Sequence, residues 1–395
     1  MIFVILPILV LLAIAILLMV RAIFTRGLQI WLPQYLRETG KRCDVRSQSP
    51  IHLLLCIADH FEPRHGNASR ELAAERVQTW VREYPRLFGH FRDSDGRPPQ
   101  HTFFYPMEMY EPSHLDALAE LRQQGFGDVE IHLHHDRDTS ENLRQRLEHY
   151  KQVLFTRHGL LSRRKIDGEI VYGFVHGDWA LDNSHPQGRC CGVNNELDVL
   201  RETGCYADFT LPSAPSATQT RKINSIYYAV DDPAGPKSHD WGTDVGCGLQ
   251  PERSLMLIQG PLLFNWRNRK LGIIPRIENG CIQHNQAPNE QRLNLWLRAR
   301  VQIPARPDWY FVKLHAHGAA AANQPMMLGG PMVRFHEMLA ARAKRDPNFH
   351  FHYLTAREMY NLVRAAESGW AGTVEQARNF ELICTPHSIS RTVTC

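Results

Sequence analysis

The stretch Glu130-Ile131-His132-Leu133-His134-His135-Asp136-Arg137-Asp138-Thr139 packs imidazoles and carboxylates at the end of an apolar run. Neutral imidazole nitrogens and carboxylate oxygens held this close together are what a divalent metal requires. The competing reading is a solvated loop that is His-rich by composition, since the chain carries 21 His. Strand alternation places Val129, Ile131 and Leu133 on one face and Glu130, His132 and His134 on the other. Three further groups follow runs that read as strands: Asp59-His60, His176-Gly177-Asp178, and His315 with His317. If those strands are parallel and belong to one β/α barrel, all four ends meet at one mouth. Convergence of titratable groups from separate strands marks a site in a way that a single polar strand end does not.

The elements that must position these groups alternate along the chain. Residues 51–58 read as a buried strand, followed by a helix over 69–83 with Ala73, Val77, Trp80 and Val81 at helical spacing. Strands are predicted at 101–105, 129–134, 171–176, 205–210, 309–315 and 349–354. Ser113-His114-Leu115-Asp116 reads as a capping box, as does Thr355 with Glu358. Residues 212–280, rich in Pro, Gly and Asn, read as long loops with a short hairpin, and the tail after about 369 as poorly structured. Repeated strand–helix units imply parallel strands with right-handed crossovers. Seven or eight units over this length favour a distorted (β/α) barrel over an open sheet. No GxGxxG follows a strand and no GxxxxGK[ST] occurs, so nucleotide-binding folds lose their usual support.

The chain has 395 residues, 43% hydrophobic and 22% charged, with a formal net charge of +4 and interspersed signs. That composition is globular and argues against a nucleic-acid binder. Nine Cys without a CxxC pair imply reduced thiols, and the adjacent Cys190-Cys191 pair reads as part of a loop. Residues 1–20 contain no charged side chain. Their length matches the hydrocarbon core, and the basic n-region and small-x-small site of a cleaved signal are missing, so residues 1–22 read as an uncleaved transmembrane anchor. Residues 23–48 follow as a basic segment in which Trp31 and Tyr35 sit either at the lipid interface or in a plain linker. The catalytic domain is assigned to 49–366 and the tail to 367–395. Arg21, Arg26, Arg37, Lys41, Arg42 and Arg46 flank the span on its C-terminal side, which by the positive-inside rule favours a single-pass membrane protein with a cytoplasmic domain.

The order of these motifs over residues 50–365 resembles the polysaccharide deacetylase superfamily, of the NodB-homology, carbohydrate-esterase type. In that pattern a strand ends in two aspartates, a His-Ser/Thr-x-x-His motif supplies two metal ligands, and a late "LH" strand carries a general acid. The run 53–60 resembles the first motif, with Asp59 in one aspartate position; Glu130 to His134 resembles the second, with His134 the first His ligand and Asp138 four residues on; Lys313-Leu314-His315 resembles the late strand, with His315 the acid. Residues 202–208 are similar to the "x-x-Gly-Tyr/Phe" strand between them. Three departures stand out: Asp59 is flanked by Ala58 and His60, so the base is lost or His60 is a ligand; Asp138 replaces the second His; and His176-Gly177-Asp178-Trp179 replaces the Arg-x-Pro-x-Gly loop.

The resemblance implies a metal-dependent deacetylase acting on a saccharide or lipid-linked saccharide, with zinc foremost and Co, Ni or Mn as alternatives. The metal ligands would be Asp59, His60, His134 and Asp138. Asp59 or Asp178 would serve as base, His315 would protonate the leaving amine, and Trp179, His176 and His317 would contact substrate. Trp179 serves equally as a packing residue. His132 is an inward histidine that either acts or satisfies a neighbour, and His135 points away from His134 if the strand persists. Two other readings stay open: a glycoside hydrolase using carboxylates among Asp59, Glu62, Asp178 and Asp182, and a non-catalytic saccharide-binding or assembly protein.

Overall fold

The computed structural model describes residues 13, 14, 17, 20, 21, 23–39, 50–246 and 250–384. Among the described residues no helix is long and apolar enough to cross a membrane. The anchor expected at 1–22 falls largely outside them. The elements in chain order begin with α1 (Leu28–Thr39), β1 (Ile51–His60), α2 (Arg70–Phe88), β2 (His101–Pro106), α3 (Pro112–Gln123) and β3 (Gly127–Leu133). There follow α4 (Ser140–His158), β4 (Ser162–Arg164), β5 (Ile170–His176), α5 (Glu196–Glu202), β6 (Cys205–Asp208), β7 (Ile226–Val230), β8 (Thr243–Asp244) and β9 (Ser254–Ile258). The chain continues with β10 (Leu263–Lys270), β11 (Ile274–Glu278), β12 (Cys281–Ile282), α6 (Glu290–Ala299), β13 (Trp309–Ala316) and α7 (Gln324–Met327). It closes with α8 (Gly330–Arg345), β14 (Phe349–Leu354), α9 (Ala356–Glu367), α10 (Val374–Ala377) and β15 (Leu382–Cys384).

Thirteen strands form one mostly parallel sheet in the order β12-β13-β1-β2-β3-β5-β6-β9-β7-β8, with β14 paired to β1 and β4 bridging β5 to β15, and β10 with β11 forms a separate two-stranded sheet. Its central strands are buried on both faces, which is why β1 (IHLLLCIADH) is a nearly continuous apolar run. Leu53, Leu55 and Ile57 pack with Val77 and Trp80 of α2 on the helix-covered face. Leu54, Cys56 and Ala58 pack with Phe104, Phe311 and the α9 residues Met359 and Leu362 on the other. This is an α/β fold, as expected, but no ladder closes the sheet among the described residues. Instead, Lys313 of β13 reaches carbonyls beyond the end of β6, donating to Phe209 O at 2.7 Å and Leu211 O at 2.6 Å.

Local chemistry explains most boundaries. Ser69 and Thr139 cap α2 and α4 by accepting from Leu72 N and Asn142 N, and Thr355 with Glu358 forms the expected capping box. The box expected at Ser113 does not form: α3 starts one residue earlier, with Pro112 pre-set at the first helical position. Residues 212–280 hold more strand than their composition indicated, including the β10–β11 hairpin. Trp31 is fully buried, 5.0 Å from the Phe264 ring, so this part of the basic segment packs on the domain and does not lie at a lipid interface. The tail is ordered as far as Cys384 because Arg378 satisfies buried acceptors, reaching Asp95 at 2.8 Å and Asp93 and Glu358 at 3.3 Å. Residues 385–395 lie outside the described part.

Candidate metal centre

Alternation carried to the strand ends decides which groups meet. His60 continues the row of Leu54, Cys56 and Ala58, and His132 the corresponding row of β3, so their rings come together with centroids 5.0 Å apart. Two residues past His60, beyond the end of β1, Glu62 reaches the same point. Three imidazole nitrogens converge on its Oε1: His132 Nε2 at 3.3 Å, His134 Nε2 at 3.7 Å and His317 Nε2 at 3.9 Å. His60 stacks on His317 with centroids 4.7 Å apart.

The tautomers follow from the outer bonds. His132 Nδ1 lies 2.8 Å from Val175 O, a pure acceptor, so Nδ1 carries the hydrogen and Nε2 aims a lone pair at Glu62. His134 Nδ1 is likewise held by the Glu108 carboxylate. His60 Nε2 is buried with no hydrogen-bond partner. Lone pairs facing a carboxylate repel unless a proton or a metal cation stands among them. Two ligands at ~2.0–2.1 Å from a tetrahedral ion lie about 3.4 Å apart, close to the 3.3 Å seen between His132 and Glu62. His60, Glu62 and His132 therefore fit a divalent metal, with His134 and His317 beside them.

The electrostatics agree with this geometry. Burial opposes ionisation of Glu62, but positive charge on His132, His317 and His134 outweighs it and holds the carboxyl at about 2, so the spot calls for positive charge, from protonated rings or from an ion among them. Burial and the neighbouring His317, His132 and His315 keep His60 well below the usual imidazole range. The centre is open on one side: the side chains of His134 and Glu108 are each 29% exposed and that of His317 22%. An open coordination side distinguishes catalytic from structural metal sites. Grooves of about 630 and 400 Å³ lie elsewhere, along residues 222–226 with 299–307 and along 265–292.

The loop after β5 forms the rim. Asp178 and Trp179 both adopt left-handed backbone conformations, at φ 52° and 54°. Such strain in consecutive non-glycine residues is retained where it aims side chains. The Trp179 ring stands 5.5 Å from His60 and 5.6 Å from His317, while Asp178 is exposed. His315 lies behind, 6.4 Å from Trp179, with Nδ1 buried and unpartnered. Burial, then Lys313 and His317, hold it well below its ordinary value.

The remaining expected site residues go elsewhere. Asp59 faces the helical side, where its carboxylate takes His101 Nε2 at 2.9 Å and the Gly318 amide at 2.7 Å, so it is turned from the metal centre. Asp138 holds His135 Nδ1 at 3.1 Å and Asn142 Nδ2 at 2.6 Å and does not join His134. His176 is fully buried against His135 and Glu196, out of a substrate's reach. Glu62, Glu108 and His132 take the vacated places. Glu62 was legible from its i+2 spacing to His60, and Glu108 from its position just past β2, the one strand end of this region without His or Asp. No family model matches the chain, and no curated protein sequence matches it, so the centre stands on its own geometry.

Proposed function

We propose that this chain is a metal-dependent hydrolase that removes an N-acyl group, acetyl foremost, from a sugar of a polysaccharide or glycolipid. The observation that carries the reading is the convergence of three imidazole nitrogens on Glu62 beside the unpartnered His60. His60, Glu62 and His132 hold the ion, and Glu108 orients His134 at its edge. The chemistry such an ion supplies is polarisation of the acyl carbonyl and activation of a water. Asp178, exposed at the rim, accepts the water's proton, and His315, neutral at rest with Nδ1 unpartnered, takes up that proton and passes it to the nitrogen as the C–N bond breaks. Trp179 offers an aromatic face to the sugar ring. Asp59 is turned to His101 and the Gly318 amide and Asp182 is fully buried, which weighs against a glycosidase drawing its carboxylates from Asp59, Glu62, Asp178 and Asp182.

A membrane location fits the same reading. Residues 1–20 lack charge, and the β10–β11 hairpin exposes Trp266, Leu271 and Ile273 among Arg267, Arg269 and Lys270, beside the α1 contact of Trp31 with Phe264. The test is metal analysis of the full-length, detergent-purified protein, together with acetate release from N-acetylated oligosaccharides. Acetate release that disappears with the mouth-bound ion in His60→Ala and Glu62→Gln is the expected result. Metal and saccharide binding with no acetate released would indicate a binding protein instead. A C-terminal reporter fusion reads the membrane side.

A further inference from the structure

A second constellation lies on the opposite side of β3 from the mouth. One residue past His134, His135 points away from it and meets His176, the last residue of β5, through the β3–β5 ladder. The two Nε2 atoms face each other at 2.9 Å. Glu196 Oε1 stands 3.1 Å from the first and 3.4 Å from the second, and Cys191 Sγ is 3.5 Å from Glu196 Oε2. All four ligand atoms lie within 4.8 Å of one another.

Hydrogen bonding on the outer edges shows that these rings present lone pairs. His135 Nδ1 bonds the Asp138 carboxylate at 3.1 Å, and His176 Nδ1 bonds Gly177 O at 2.5 Å. Both partners only accept, so each Nδ1 carries a hydrogen, and each ring in its neutral form presents a bare Nε2. Two lone pairs and a carboxylate oxygen then point at one spot. A proton on one Nε2 bridges only one pair of these atoms, while the thiol turns to Val193 O at 3.6 Å and Glu196 Oε2 at 3.5 Å; a cation at their centre engages all four at once. The constellation is closed: the side chains of His135, His176 and Glu196 are at most 1% exposed, and Cys191 is fully buried. Two imidazoles, one thiolate and one carboxylate with no open position describe a structural zinc site.

We infer that His135, His176, Cys191 and Glu196 bind a zinc ion, distinct from the ion at the mouth, that pins the loop between β5 and α5. Ligands at 176, 191 and 196 span that loop, which has backbone strain at Asp178, Trp179, Asp182, Asn183 and Cys190 and carries the Asp178–Trp179 rim. Gly192 is required beside the ligand, since a Cβ there would sit 2.7 Å from the Asp138 amide.

The test is cobalt loading of the full-length, detergent-purified protein. A sulfur-to-cobalt charge-transfer absorption in the near ultraviolet is expected in the wild type. It should persist in Cys190→Ser and in the double variant His60→Ala/Glu62→Gln, and disappear in Cys191→Ser. Persistence in the double variant separates this site from the one at the mouth. Should Cys191→Ser fail to fold, X-ray absorption of the wild-type zinc protein decides, with a zinc–sulfur distance of ~2.3 Å expected. A first coordination sphere of nitrogen and oxygen alone, or a thiolate band that survives Cys191→Ser, overturns the assignment; so would metal-free protein in which the two histidines share a proton.

Discussion

At the scale of single residues, one step along a strand separates a candidate metal ligand from a structural anchor. Asp59 and His60 are neighbours, yet alternation sends the aspartate to the helical face, with Trp80 and His101, and the histidine to the centre. The chemistry-bearing residue types were legible in the sequence, because His and Asp crowd the strand ends. Their grouping was not, since it depends on the parity of β1 and on which strand-end groups the loops bring together. Asp59→Ala leaves His101 Nε2 and the Gly318 amide without partners in a fully buried place. Two unsatisfied buried groups cost about 3 kcal/mol together. Denaturant unfolding should show that loss while the mouth still binds its ion. Glu62→Gln should do the reverse, with the ion lost and the unfolding midpoint little changed. If Asp59→Ala loses the ion at unchanged stability, the face assignment fails.

At the scale of elements, strands and capped helices were the easily read part. β1, β2, β5, β13 and β14 fall within a few residues of the runs predicted from apolar content, and α9 carries its Thr355–Glu358 box. Segments held by tertiary polar contacts were not visible. The tail is fixed by Arg378 on Asp93, Asp95 and Glu358, and β10 (LFNWRNRK) lacks the alternation that marks a strand. The junction of β5 with its loop is the tightest point at the mouth. A Cβ on Gly177 would overlap the His134 ring and sit 2.8 Å from Leu133 O. Gly177→Ala must therefore push His134 off Glu108 and Glu62. Displacing an orienting contact of this kind typically costs 10- to 100-fold in metal affinity. Competition with a chelator should show that weakening at the mouth, while the cobalt–thiolate absorption of the closed site stays at its wild-type intensity. Equal affinity in Gly177→Ala and wild type would mean that His134 plays no part in holding the ion.

At the scale of the whole molecule, the sheet bends until β13 meets the segment beyond β6 without a closing ladder, and Lys313 joins the two. Its ammonium is wholly buried, and burial lowers its pKa from the ordinary 10.5 to about 8, against the opposing pull of Asp208. The groups facing it keep a constant charge above pH 8: Asp208 is held near 6 by burial, so it is ionised; burial lifts Cys56 to about 12, so it is neutral; His315, well below its ordinary value, is neutral too. Between about pH 8 and 10.5 the unfolded chain binds the Lys313 proton while the folded chain has released it. Stability from this group is therefore complete above 10.5, declines as pH falls through that window, and is lost below about 8. Lys313→Met removes the titration. It also strands the Phe209 and Leu211 carbonyls, which lowers stability at every pH by about 1–3 kcal/mol per carbonyl. The slope carries the test. Unfolding free energies measured from pH 8 to 10 should rise more steeply with pH in the wild type than in Lys313→Met. Parallel curves would show that Lys313 titrates as if in water and that the strut across the unclosed sheet is not buried in solution.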